Sequence, residues 1–239
     1  MYPDHDLLEK LKVITIDGPA GSGKSTVAKI VATKLGWIYV TTGAIYRSLA
    51  LLFHEANLKE KDLGNIERFT SFINERYRQE SSSGKVFLGE REVSHEIKAP
   101  HVSELASLLA QEDSVRKRLL PIQRKVVLNN NGAVVDGRDM GTVVFPDAPL
   151  KIFLTASPEE RAERRLKELH LNGMKTNINE LMKEINERDL RDTNRRIAPL
   201  KPAHDAILLD STKSTQEEIA KIILKYALQK EMIIKKSEI

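Results

Sequence analysis

Apolar residues recur along this chain in short dense runs separated by longer stretches that carry an apolar stripe. Five runs read as strands: Val13–Ile16, Ile38–Val40, Ala133–Val135, Lys151–Leu154 and Ala206–Leu209. Their length and their β-branched and leucine-rich make-up suit strands buried on both faces of a parallel sheet. After the first run, Val27, Ile30, Val31 and Leu35 fall at helical spacing. Near the end, Thr215 and Glu218 have the spacing of a capping box, and Ile219, Ile222 and Ile223 continue as a helix. Strands alternating with helices predict an α/β fold, a five-stranded parallel sheet flanked by helices.

Residues 58–131 interrupt the alternation. SSSGKVFLGEREVS reads as a hairpin with turns at Ser83-Gly84 and Gly89-Glu90, and a helical pattern follows from Val102 to Leu128. A mixed α/β insertion is therefore expected between the second and third core strands. A second distinct unit runs from Ser157 to His170, with Ser157 as cap, Pro158 at the first helical position and Glu160 completing a capping box. The expected organisation is a core of residues 1–57, 132–156 and 174–239, an insertion at 58–131 and a short helical lid at 157–173. The tail KKSEI is expected to fray.

Composition narrows the function classes. The chain has 239 residues, 41% hydrophobic and 30% charged, the balance of a soluble globular protein. It has no cysteine, which excludes a disulfide framework and a thiolate metal site. The N-terminus MYPDHDLLEKLK lacks the pattern of a signal peptide, and no stretch is long and apolar enough for a membrane span, so a cytoplasmic address is expected. The net charge of +4 is too small to argue for nucleic acid. The six histidines form no i, i+4 zinc pair.

The most specific signal is Gly18-Pro19-Ala20-Gly21-Ser22-Gly23-Lys24-Ser25, which matches G-x-x-x-x-G-K-[ST] between an expected strand and an expected helix. Glycines let successive backbone N–H groups curl around phosphate oxygens, and the helix N-terminus adds free donors and a favourable dipole. Lys24 supplies a point charge at the β- and γ-phosphates, and the Ser25 hydroxyl can ligate Mg²⁺. Such a loop is shared by GTPases, motor ATPases and small-molecule kinases. No Asn-Lys-x-Asp sequence for guanine is present, which weakens the GTPase reading.

Three further constellations suit a second phosphorylated substrate. Gly137-Arg138-Asp139-Met140-Gly141 follows the strand that ends at Asp136, where catalytic residues of parallel sheets gather. Asp136 could hold Mg²⁺ through water, Arg138 could pair a phosphate, and Asp139 could accept from a base amino group; the alternative is a polar turn. Arg188, Arg191, Asp192 and Arg195 share one helix face, with Glu187 and Asp189 off it; the alternative is a solvated charged face. Arg161, Arg164 and Arg165 share a face of the helix that begins at Ser157, where they could close over ATP; the alternative is pairing with the neighbouring glutamates.

With ITIDGPAGSGKST, TGAIYR, LGEREVSHEI, VVDGRDMGTVVFPDAPLKIFLTAS and ERDLRDTNRRIAPL, the chain closely resembles bacterial cytidylate kinases from about Val13 to Tyr226. The resemblance implies a P-loop kinase core in which Gly18 to Thr26 bind ATP, and an insertion that binds CMP. It implies that Thr42 and Arg47 contact the CMP phosphate and that Ser107 and Arg116 contact cytosine. Arg138 and Asp139 belong to the CMP site by the same likeness, Arg188 and Asp192 hold the ribose, and Arg195 contacts the nucleotide. Arg161 to Arg165 fall in the lid. One departure is Thr41-Thr42 before GAIYR, where the family often carries Asp-Ser.

The expected activity is transfer of the γ-phosphoryl group of ATP, with Mg²⁺, to CMP or dCMP by a monomer. Lys24, Arg138, Arg164 and Arg188 are the expected catalytic residues. The competing readings are a P-loop kinase for another nucleotide, an ATP sensor without transfer, and an RNA-binding protein supported by the sequence pI alone.

Overall fold

The structure is a computed structural model that describes residues 12–80, 83–128, 130–171, 176–230 and 232. The N-terminal segment before these, Ser81-Ser82 of the expected hairpin, the last residues of the expected lid and the tail KKSEI lie outside the described residues.

All five expected strands form one parallel sheet. β1 (Val13–Asp17) lies at its centre, between β6 (Ala133–Gly137) and β7 (Leu150–Thr155); β2 (Ile38–Thr41) flanks β6 and β8 (Ile207–Asp210) flanks β7. Every residue of β1 and β6 is buried, which is why those strands read as unbroken apolar runs, whereas edge strand β8 alternates and leaves Leu208 exposed. The strands run slightly past their apolar runs, and β8 is shifted along its own. β1 extends to Asp17 and β6 to Gly137, and the end of β6, Asp136 and Gly137, lines the site.

Helix α1 (Lys24–Leu35) and the last helix pack on one face of the sheet. Val27, Ala28 and Val31 meet Ile219, Ala220 and Ile223 over Ile14, Ile16, Val134, Ile152 and Leu154. The helix closes on Gly36, whose φ of 67° lets its N–H reach back to the carbonyl of Thr33. On the opposite face Val13, Val40, Val135, Met140 and Phe145 form a second cluster. A third core joins α2 (Thr42–Glu55) to the segment at 58–131: Ile45, Leu49 and Phe53 pack against Ile73, Val86, Ile97, Val102 and Leu119. The inserted segment is thus anchored through the helix that follows β2.

Two expectations for this segment change. The hairpin is a three-stranded antiparallel sheet, because β3 (Tyr77–Gln79) pairs with β4 (Val86–Leu88), which pairs with β5 (Arg91–Glu92). The helical stretch after it is two helices, α4 (Pro100–Leu109) and α5 (Asp113–Leu128), with α3 (Ile66–Arg76) preceding β3. In the expected lid helix, α6 (Pro158–Leu171), Ser157 Oγ accepts the Glu160 N–H at 3.2 Å, but the Ser157 N–H goes to Thr212 Oγ1, so only half of the capping box forms. The box at Thr215 and Glu218 forms in full and opens α8 (Gln216–Gln229). Between them lies α7 (Ile178–Asn194).

Candidate active site

A cavity of about 860 Å³ opens over the C-terminal ends of β1, β2 and β6, between the loop after β1, the inserted segment, α6 and α7. That is where open parallel sheets place ligands.

The loop from Gly18 to Gly23 owes its course to backbone conformations and close approaches that exclude side chains. Gly18 has φ 153°, and a Cβ there would stand 2.0 Å from the Leu154 carbonyl oxygen. Gly21 and Gly23 sit at φ 76° and 84°. Lys24 is only 7% exposed and its ammonium donates to the Pro19 carbonyl oxygen at 2.9 Å across the loop. Burial pulls its pKa well below the ordinary lysine value, and the charge of Arg138 adds to that. Ser25 Oγ donates to Asp136 Oδ2 at 2.6 Å, and Tyr39 OH donates to Oδ1 of the same carboxylate at 3.1 Å. Gly21, Gly23, Ser25 and Thr26 line the cavity together with Ala20.

The Thr41-to-Arg47 segment leads from the end of β2 into α2. Thr42 and Gly43 open α2, and Arg47 curls back over that N-terminus, with Nη1 3.3 Å from where a Gly43 Cβ would stand. Arg47 is half-buried, and its enclosed Nε finds no partner among the described residues; burial lowers its pKa. Thr42 Oγ1 donates to the Asp136 carbonyl oxygen at 3.1 Å, so its proton is already committed. Thr41 is the register partner of Asp136 across β2 and β6, and its N–H reaches the Gln79 side chain at 3.3 Å.

The loop after β6 carries Arg138 and Asp139. Arg138 Nε donates to Asp192 Oδ2 at 2.8 Å, and Arg116 Nη2 donates to Asp139 Oδ2 in a buried ion pair. Burial pushes the Asp139 carboxyl up. For Asp192 burial acts the same way but is outweighed by Arg138, Arg188 and Arg195, which hold it below the ordinary range. Ser107 lines the same cavity, 5% exposed, with its hydroxyl unpartnered among the described residues.

Helix α7 delivers Arg188 and Asp192 to the cavity. Arg188 is pulled down to about 10 by burial and the nearby Arg138 charge, and its Nε is unpartnered among the described residues. Arg195 lies just past the helix end, where its Nε bonds the Asp192 carbonyl oxygen and its Nη2 is also unpartnered among the described residues. The expectation of one helical face holds for Arg188 and Asp192. Arg191 instead turns to α4 and grips Glu104 with two hydrogen bonds of 2.6 and 2.9 Å.

The α6 arginines are tied down. Arg161 does not line the cavity: its guanidinium donates to the Ala156 and Ala20 carbonyl oxygens and to the Asp189 carboxylate, clamping α6 beneath the loop. Arg164 lines the cavity while bonding Glu160, the Ser22 carbonyl oxygen, and both Oγ and the carbonyl oxygen of Ser211. Arg165 lines it too, paired with Glu168 at 2.7 Å. Neighbouring acids do pair with this row, as the alternative reading held, and Asp189 joins them from a different helix.

Sequence reasoning missed Tyr39, Gln79, Asp189 and Ser211. Tyr39 and Ser211 sit in unremarkable apolar or polar runs, and only the folded register brings them to the site. Asp17 was also passed over, although an acid at the end of a fully buried strand was a visible signal.

The sheet, the glycine loop with Lys24, and the arginines that share its cavity define a P-loop phosphotransferase of the nucleoside monophosphate kinase class. The cytidylate kinase family profile matches residues 14–229. The chain is 46% identical to the cytidylate kinase of Carboxydothermus hydrogenoformans over 88% of its own length and 95% of the relative's. It is 47% identical to that of Salmonella paratyphi B over 91% and 96%. A shikimate kinase from Acinetobacter baumannii, solved with shikimate, superposes with a TM-score of 0.46 at 12% identity over 95% of this chain and 99% of that one, too slight a likeness to carry weight. The chain belongs to the cytidylate kinase family.

Proposed function

We infer that the protein transfers the γ-phosphoryl group of ATP to CMP or dCMP, giving CDP or dCDP and ADP. The observation that carries the residue-level reading is the set of buried guanidinium nitrogens on Arg47, Arg188 and Arg195, unpartnered among the described residues, which share one cavity with Lys24. Buried donors without acceptors are costly in the free protein, and two nucleotides supply the missing oxygens. Burial and the repulsion of neighbouring arginines lower the pKa of all four cations, so a polyanion between them relieves that repulsion.

In this reading the ATP phosphates lie in the Gly18–Thr26 loop beneath Lys24. The CMP phosphate sits at the α2 N-terminus against Arg47, with Arg138 and Arg188 beside it. The Thr42 hydroxyl is occupied by the Asp136 carbonyl, so the backbone N–H groups there and Arg47 take most of that contact. Asp192 holds the ribose while orienting Arg138. Asp139, Arg116, Ser107 and Arg195 form the cytosine pocket. A CMP phosphate oxygen attacks the γ-phosphorus in line, the bond to the ADP oxygen breaks, and the arginines and Lys24 stabilise the charge spread over the transferring group. No enzyme-bound phosphoryl intermediate is needed.

For Mg²⁺ the donor set fits. Ser25 Oγ and the Asp136 carboxylate lie 2.6 Å apart beside Lys24, an all-oxygen pair to which phosphate oxygens and waters would add. Ser25 and Asp136 would hold the ion, which would supply positive charge to neutralise the phosphates, and Tyr39 keeps the Asp136 carboxylate turned to Ser25. We further propose that residues 58–131 are the acceptor-binding region, that residues 157–173 act as the lid, and that the protein works as a cytoplasmic monomer. No helix among the described residues is long and apolar enough to cross a membrane.

A coupled ADP-release assay across CMP, dCMP, UMP and AMP tests the function. CMP and dCMP should be the preferred acceptors. Equal or faster turnover of AMP or UMP would overturn the assignment.

Two variants probe individual roles. Asp192→Ala removes a charge-assisted hydrogen bond to the ribose and frees Arg138, so CMP efficiency should fall by at least about 1.5 kcal/mol, roughly tenfold, while the affinity for ATP alone is unchanged. Unaltered CMP kinetics would return Asp192 to a structural role. Arg164→Ala removes the tie between α6 and the Ser22 carbonyl oxygen. Turnover should fall about fivefold, the equivalent of one hydrogen bond, with the KM for CMP near the parent value. A loss of thermal stability with normal turnover would make Arg164 a purely structural clamp.

A further inference from the structure

Asp17 is the last residue of β1, immediately before Gly18, and is 4% exposed. Its Oδ1 accepts the Met140 N–H and its Oδ2 the Gly141 N–H, both at 2.8 Å. Those amides open a π-helical turn, Met140–Val144, whose first N–H groups have no acceptor within the turn. The N-cap residue of that turn is Asp139, and an aspartate there ordinarily turns its carboxylate onto those same amides. Asp139 makes no such bond. Its carboxylate reaches Arg116 in the cavity instead. From the far side, Arg124 holds the turn by donating to the carbonyl oxygens of Val144 at 2.8 Å and Val143 at 3.2 Å.

We propose that Asp17 is a positioning residue for base selection: it caps the Met140–Val144 turn in place of Asp139, which leaves the Asp139 carboxylate free to face the acceptor nucleotide. The inference rests on the reading of Asp139 as part of the cytosine pocket. It accounts for a buried acid that does not line the cavity yet joins the strand feeding the phosphate loop to the loop carrying Arg138 and Asp139. Without Asp17, the orphaned amides of Met140 and Gly141 compete with Arg116 for Asp139 and draw it out of the pocket.

The charges that face Asp17 are Asp139, from the loop it caps, and Lys24, from α1. Lys151 of β7 also flanks Gly141, but its ammonium is bonded to Asp205 at 2.9 and 3.0 Å. Burial raises the Asp17 pKa to about 7, against the two amide hydrogen bonds that pull it down. Because this folded value lies above the unfolded value of 3.8, the folded chain binds the extra proton between those limits, and stability declines as pH rises through that window. Capping strengthens as pH rises through the folded-state pKa, since the ionised carboxylate accepts at both oxygens. Stability and base selection therefore respond to pH in opposite directions through this residue, which a merely structural acid would not produce.

The test is Asp17→Asn, whose amide can accept only one of the two N–H groups and turns a donor toward the other. CMP efficiency should fall about tenfold, and the CMP-to-UMP ratio of kcat/KM should narrow, with the affinity for ATP alone within about threefold of the parent. CMP's own phosphate titrates at about pH 6, so parent and variant are compared across pH and the variant should lose one component of the acid limb. An unchanged ratio, or an equal loss of ATP affinity, overturns the proposal. If the variant does not fold, ¹⁵N NMR of the wild-type protein without nucleotide decides. The Met140 and Gly141 amide signals should shift together with the titration of the Asp17 carboxyl, whose pKa burial raises, and amide signals that do not follow that carboxyl overturn the proposal. Failure of the wild-type protein to phosphorylate CMP would instead overturn the functional reading, which the NMR titration does not depend on.

Discussion

Lys24→Met is expected to lower turnover by about 100- to 1,000-fold while leaving the free protein as stable as the parent or more so. The two halves have one cause. In the free protein the ammonium is buried, its single described hydrogen bond is to the Pro19 carbonyl oxygen, and Arg138 and Arg188 repel it. Those conditions favour the neutral form, so a charge held there opposes folding. Methionine has an unbranched stem of similar length and fills the same space without the charge. In the reaction the same charge is matched by the phosphoryl group in transit, where a preorganised donor in a dry site contributes several kcal/mol. Turnover with saturating ATP and CMP, set beside the thermal midpoint of the free protein, checks both halves. A folded variant turning over within about tenfold of the parent would sink the phosphate-loop assignment.

How much of this was legible in the sequence follows from how local each determinant is. The five core strands read correctly because burial on both faces leaves apolar runs, and the phosphate loop because its glycines and Lys24 are contiguous. Arg188 and Asp192 were found by helical spacing and by the family likeness of ERDLRDTNRRIAPL. Arg191 was grouped with them by the same spacing, but Glu104 on α4 claims it, and the distance from 104 to 191 hides that partner. Arg161 was read as an ATP contact, yet Ala20 and Asp189 use its donors beneath the loop. β3 escaped because Tyr77–Gln79 is three residues directly after α3, with neither the length nor the alternation of a strand. Asp17 and Tyr39 matter only through partners more than ninety positions away, Met140 and Asp136. A single sequence encodes neighbours along the chain plainly. It encodes the register between β1, β2 and β6 only through the fold.

Asp139→Asn is expected to weaken CMP as a substrate and to narrow the CMP-to-UMP ratio of kcat/KM by roughly 5- to 150-fold. Cytosine presents an amino donor at the position where uracil presents a carbonyl oxygen. An ionised carboxylate accepts and never donates, so it suits the first base and repels the second. Asparagine can turn either its oxygen or its NH₂ to the base and loses that discrimination. Arg116 complicates absolute rates. Its guanidinium is bound by Asp139 and by the Ala110 carbonyl oxygen at 3.3 Å, and weakening a buried ion pair loosens the region around it. The ratio cancels this, because both substrates are measured on the same protein with the same fraction folded. Burial raises the Asp139 pKa, while Arg116 and then Arg195 draw it back, so the carboxylate and its guanidinium partner are best treated as a unit. Arg116→Met removes the charge that draws the Asp139 pKa down, and it should narrow the same ratio in the same direction. If Asp139→Asn lowers both efficiencies in parallel and the ratio holds, Asp139 serves the loop geometry, and base choice lies with Ser107, Arg116 or Arg195.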